Sequence, residues 1–225
     1  MGTLTVNKTN HLFWLGRYTE RVYTTLRFMI EVGDRMIDGA PVDYQSICRH
    51  LIIPDVYTDA EDFCTRFLFD KTNPDSVISA MERAYDNAIV LRETLSTDSL
   101  SYIFMAQDAL ARAAASEAPY LDMQAAIDDI LAFRGSWADF IMDDESRRVI
   151  ELGRNVERID LYLRLDYNQH LVRREVTRLV NRMYKTTVPC DKLRMKLLAD
   201  VLLASDEELP STKEFLDWVD NVFKV

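Results

Sequence analysis

Leu15-Gly16-Arg17-Tyr18-Thr19-Glu20-Arg21 and Leu152-Gly153-Arg154-Asn155-Val156-Glu157-Arg158 share Leu, Gly, Arg, Glu and Arg in register. The likeness continues through Leu26-Arg27 and Leu163-Arg164. Each copy lies in a stretch of helical periodicity. Leu15, Tyr18, Val22, Leu26 and Met29 recur at spacings of three and four, as do Val149, Leu152, Val156, Ile159 and Leu163. A glycine inside a helix costs about 1 kcal/mol relative to alanine. Gly16 and Gly153 therefore suggest the close approach of another backbone or a ligand.

The charges of each copy lie opposite or beside the apolar stripe. Arg17 neighbours Glu20 and Arg21 at one helical turn. Three readings of Gly16, Arg17, Glu20, Arg21, Gly153, Arg154, Glu157 and Arg158 stand side by side: a solvated charged face, a buried ion network between two related helices, or the lining of an anion site. If the network is right, the two helices pack together and Glu–Arg pairs cross between them.

The rest of the 225-residue chain reads as helix too. Six Gly and six Pro are about half the usual share, which opposes a loop-rich or all-β chain. Helices are expected over 10–36, 43–51 and 59–69, with Pro54 between the last two. Asn73 and Pro74 have the chemistry of a helix start, for a helix reaching about Thr94. Ser96-Thr97-Asp98 starts another, ending near Ser116. Pro119 opens one that runs to about Met142, with Gly135 as a weak point. Asp143-Asp144-Glu145 suits the N-terminus of the helix bearing the second motif. That helix continues or bends near Asn168 into Leu171–Lys185. Met195–Ala204 and a last helix follow, where Ser211 and Glu214 have capping-box spacing. No alternating strand pair is found. The expectation is all-α: a single helical bundle over 1–225, with an internal pseudo-repeat of LGRxxER-bearing helices.

Composition removes several functions. With 27 Lys+Arg against 37 Asp+Glu, the net charge of -10 opposes general nucleic-acid binding. Cys48, Cys64 and Cys190 are odd in number and unpaired in motif, which fits a reducing cytoplasm. The opening MGTLTVNKTNHLFWLGR lacks the layout of a signal peptide, and Val6 breaks the acylation pattern. No apolar run is long enough to span a membrane. Phosphate-binding glycine loops and HExxH are missing, and no His stands three residues from a Glu. Cys48, His50 and Cys64 read better as core than as zinc ligands. Asp139, Asp143 and Asp144, followed by Arg147 and Arg148, could hold magnesium and a diphosphate. No second Asp-rich motif accompanies them, and they serve equally at a helix start. No metal or cofactor is expected.

Charge is unevenly laid. From Glu117 to Glu145 there are eight acids and one base, Arg134. From Gln169 to Lys196 there are eight bases and two acids. Arg174, Arg178 and Arg182 in that basic stretch are a candidate docking face for an acidic partner, a phosphate or a second subunit.

Phe13-Trp14-Leu15-Gly16-Arg17-Tyr18-Thr19-Glu20-Arg21 resembles the opening motif of the bacterial alpha-E family. Asp86-Asn87-Ala88 through Arg92-Glu93 and Leu95-Ser96 resembles its middle segment, and Leu152-Gly153-Arg154 with Glu157-Arg158 its second Glu-Arg motif. Two departures are a short chain and Ser99-Leu100-Ser101 where a Trp often follows. The resemblance implies a helical domain that accompanies ATP-grasp ligases and transglutaminase-like proteases in peptide or amide-bond modification. It implies an accessory, partner-binding role with such a ligase or protease as protein partner. Association with a second copy is left open. The rival is an enzyme acting on an anionic or peptide substrate at the paired Arg/Glu motifs.

Overall fold

The computed structural model describes residues 4–204 and 210–224. Met1–Thr3, on which part of the signal-peptide reading falls, lie outside them. Among the described residues there are ten α-helices and an isolated antiparallel bridge between Cys190 and Phe223. The all-α expectation holds. No described helix is long and apolar enough to cross a membrane.

Contacts gather the chain into two compact units, Met1–Arg17 with Asp143–Val225, and Tyr18–Met142. Helix α1 (Val6–Ile37) contributes its first part to one unit and the rest to the other. The first unit also holds α7 (Asp144–Arg164), α8 (Gln169–Met183), α9 (Lys192–Val201) and α10 (Thr212–Asp220). The second holds α2 (Tyr44–Leu51), α3 (Ala60–Phe69), α4 (Val77–Val90), α5 (Thr97–Ala113) and α6 (Pro119–Phe140).

Most helix starts follow local cap chemistry. Asp43, Asp59, Ser96 and Asp143 each accept a backbone N–H three residues on. Ser211 and Glu214 form the capping box, and Pro119 occupies the first position of α6. One expected start is displaced. Asn73 accepts from the Asp75 amide in a turn of its own, and Ser76 caps α4 through the Ser79 amide. The buried Ser76–Ser79 hydroxyl pair also reaches the Asn73 carbonyl, so the later serine takes the cap. Leu91–Leu95 then form turns, which end α4 short of Thr94. Asn168 caps α8, after Asp166 has taken a left-handed conformation, so α7 and α8 are separate helices. The expected 195–204 helix begins earlier, at Lys192, because Asp191 accepts from the Leu193 and Arg194 amides.

In the first unit, α1 crosses α7 with backbones in contact. A Cβ on Gly16 would fall inside the Ile150 carbonyl oxygen, and one on Gly153 inside the Phe13 carbonyl oxygen. Only hydrogen fits at either place. Leu12, Leu15, Val149, Leu152, Val156 and Ile159 are fully buried. Helix α8 returns antiparallel along α7: Arg182 bonds Glu151 and Asn155, and Glu175 bonds Asn155 further along. In the second unit, the remainder of α1 runs antiparallel to α6. Glu20 meets Arg134 at one end, and Gly33 lies against the Tyr120 ring at the other.

The glycines make a direct test. Gly16→Ala and Gly153→Ala place a methyl into fixed backbone, and should each cost about 3 kcal/mol or more. Gly135→Ala meets open space and removes a helix-interior glycine, so it should raise stability by about 1 kcal/mol. Chemical denaturation of the three variants separates these signs.

Candidate functional site: two buried arginine–glutamate centres

The first centre lies in the unit containing α7. Arg17 directly follows Gly16 at the crossing and is 9% exposed, so its charge must be met inside the protein. Its Nε donates to Glu157 Oε2 at 2.6 Å and its Nη2 to Asp220 Oδ1 at 3.0 Å. The Trp14 ring stands 5.0 Å from the guanidinium. Burial works against the Arg17 charge, but Glu157 and Asp220 outweigh it and raise the pKa further. Glu157 is fully buried.

Asp160 follows Glu157 on α7. Both its oxygens accept from Arg164 Nε at 2.9 Å. Burial, then the Glu157 and Asp220 charges, push its carboxyl up to about 6, against the pull of Arg164. The Asp160 carboxyl therefore holds its proton into mildly acidic pH.

Beside it, α7 and α8 share a second buried carboxylate. Glu175 is fully buried, accepts from Asn155 Nδ2 at 3.1 Å and pairs with Arg178 at 2.7 Å. Arg158 of the motif stands 3.7 Å from it, and Arg174 3.5 Å. The Arg154 backbone lies at the glycine crossing. Of the three candidate docking arginines, Arg174 and Arg178 are half exposed beside Glu175. Arg182 turns to α7 through Glu151 and Asn155.

The second centre lies in the other unit. Glu20 is fully buried. Arg134 Nη2 donates to its Oε2 at 2.7 Å, and Thr24 Oγ1 donates to its Oε1 at 2.7 Å. The Arg134 guanidinium also stacks over Tyr23, 4.0 Å from the ring centre. Arg21 stacks over Tyr18, and so does Arg83 of the Glu82-Arg83 dipeptide.

Of the three readings of the motif charges, the buried network describes Arg17, Glu20 and Glu157. Arg17 of one copy meets Glu157 of the other; Glu20 meets Arg134, outside either copy. Residues 7–193 match a family described as Alpha-E, a predicted alpha-helical domain with a conserved ER motif. The chain belongs to the Alpha-E family. No curated protein and no solved structure matches it. The Alpha-E match ends before α10, which supplies Asp220 to Arg17.

Sequence reasoning missed Arg134, Glu175, Asp160 and Asp220 as partners. A signal existed for two of them. Arg134 is the one base in an acidic stretch, and Glu175 is one of two acids in a basic one. The acidic cluster resolves as helix-start chemistry: Asp143 caps α7 and Asp144 pairs with Arg147. Glu145 is buried beside them. Burial would raise its carboxyl, but hydrogen bonds from Thr187, Thr186 and Arg148 hold it below the usual range. Two surface hollows lie elsewhere, where α7 turns into α8. Tyr167, Gln169 and Arg173 line both.

Two measurements follow from the centres. Removing one partner of a buried pair leaves an uncompensated charge, so Glu20→Ala and Glu157→Ala should each lose about 3–5 kcal/mol in thermal melts. A solvated pair would lose no more than about 1 kcal/mol. A carboxyl whose pKa rises on folding loses stability as pH climbs from its unfolded to its folded value. For Asp160 that window runs from about 4 to about 6, and the loss is up to roughly 3 kcal/mol. The Asp160→Asn variant should therefore gain on the unmutated chain between pH 4 and 6.5, as read from denaturation midpoints.

Proposed function

We propose that this Alpha-E protein is an accessory, partner-binding module of an ATP-grasp ligase or transglutaminase-like peptide-modification system. The observation that carries this reading is the direct pairing of Arg17 with Glu157 and of Arg134 with Glu20 inside the two units. Side chains engaged in this way hold helices together. They are poorly placed to take an anionic substrate, which counts against an enzyme acting at the motifs. The setting comes from the family resemblance of the two Leu-Gly-Arg motifs.

The basic face of α8 is the docking surface in this reading. Arg174 and Arg178 keep about half of their side chains in solvent, 48% and 45%. An acidic partner surface would be steered to them.

The experiment is co-expression with the ATP-grasp ligase and the transglutaminase-like protease of the same source. The chain should co-purify with one of them. Lys185→Glu with Lys192→Glu, in the same basic stretch, leaves the cations beside buried Glu175 in place; this variant should lose that partner while the melting temperature stays within a few degrees. Retention of the partner by the doubly reversed variant overturns the docking face. Turnover of a peptide substrate by the chain alone, abolished in Glu157→Gln, overturns the accessory role.

A further inference from the structure

Helix α6 carries an exposed face with no base on it. Leu121, Asp128, Leu131, Gly135 and Asp139 recur at spacings of seven, three, four and four, and all five are exposed. Leu121 is 74% exposed. Helix α5 extends the surface with the exposed Phe104 and Met105; its Arg112 stands near enough to Asp129 to act on that carboxyl. Among the described residues, nothing stands within 4 Å of where a Cβ on Gly135 would lie, so packing there does not call for a helix-interior glycine.

A matching surface exists on the same chain. Arg174, Arg178 and Asn181 share one exposed face of α8, Lys185 continues it past the helix end, and Tyr184 beside it is 70% exposed. Lys192 and Leu193 at the start of α9 are exposed as well. One surface is acidic and apolar with no free base on α6; the other is basic and apolar.

We propose that the acidic–apolar face of α6 in one copy docks the basic–apolar face of α8 in a second copy, head to tail. This rests on the reading of α8 as a docking face, and a second copy then competes with the ligase or protease for it. Asp128 and Asp139 lie opposite Arg178 and Lys185, and Leu121 and Leu131 are covered beside Tyr184. The net charge of -10 repels second copies at long range. At physiological salt that repulsion is screened beyond about 8 Å, whereas pairs in contact across the interface are not. The two faces differ, so the contact is heterologous and leaves one face of each kind free. Association is then concentration-dependent and continues into rings or chains.

The test is light scattering on the full chain at rising concentration. The unmutated protein should gain mass above the monomer. Asp128→Arg with Asp139→Arg, which removes the α6 face, should be monomeric. Arg174→Glu with Lys185→Glu, which removes the α8 face, should be monomeric too. Lys185→Glu with Lys192→Glu leaves every partner of buried Glu175 in place and should also be monomeric if the first α8 variant folds poorly. An equimolar mixture of an α6 variant and an α8 variant retains one intact face of each kind. It should form a one-to-one pair and stop there. A monomeric unmutated chain at every concentration overturns the proposal, as does mass that survives both sets of substitutions or a mixture that stays monomeric. An α8 variant that loses self-association but keeps the ligase or protease partner counts against the partner-docking reading alone; one that loses that partner but keeps self-association overturns the proposal.

Discussion

The Arg17–Glu157 pair at the Gly16–Gly153 crossing is the constraint from which the first unit is built. The two glycines let the α1 and α7 backbones touch, and Arg17, next to that contact, is 9% exposed. A guanidinium in that position must find a carboxylate within the protein, and Glu157 lies one turn beyond Gly153. Asp220 completes the shell, and so ties α10 to the same point. A buried pair is a weak source of net stability, since desolvation offsets its attraction. What it supplies is register: an α1 shifted by one residue against α7 would leave two charges unmatched and drive a Cβ into backbone.

The second unit repeats the logic with different parts. Glu20 is as buried as Glu157, but its cation comes from α6 and stacks on Tyr23. A hydroxyl from Thr24 takes the other carboxylate oxygen. Each motif glutamate thus anchors a helix remote in sequence. In both centres a motif glutamate is buried in an ion pair with an arginine of another helix.

The helices were legible because their signals are local. Apolar spacing, serine and aspartate caps and the rarity of glycine and proline act within a few residues, and nearly every start follows from them. Asn73 failed because two capping residues compete within four positions, and burial of the Ser76–Ser79 pair decides between them. The glycine crossing was legible for a different reason. A helix tolerates such a residue at a cost, and the same cost in two matching stretches implies a common cause. Partners were not legible. Arg134 lies 114 residues from Glu20, and Asp220 lies 203 residues from Arg17. No periodicity in one helix specifies which cation another helix will deliver, although a lone base among acids is a usable hint. The raised carboxyl of Asp160 depends on burial and on Glu157 and Asp220, which only the folded chain brings together.

The coupling between Arg17 and Glu157 tests this account most directly. A double-mutant cycle would compare Arg17→Met, Glu157→Leu and the two together by equilibrium denaturation. Each single variant removes one partner of a buried charge, whereas the double variant replaces both members of the pair with apolar side chains. The account predicts that the double variant is more stable than either single one, with a coupling energy of about 2–3 kcal/mol. Additive losses, with coupling below about 0.5 kcal/mol, would contradict it.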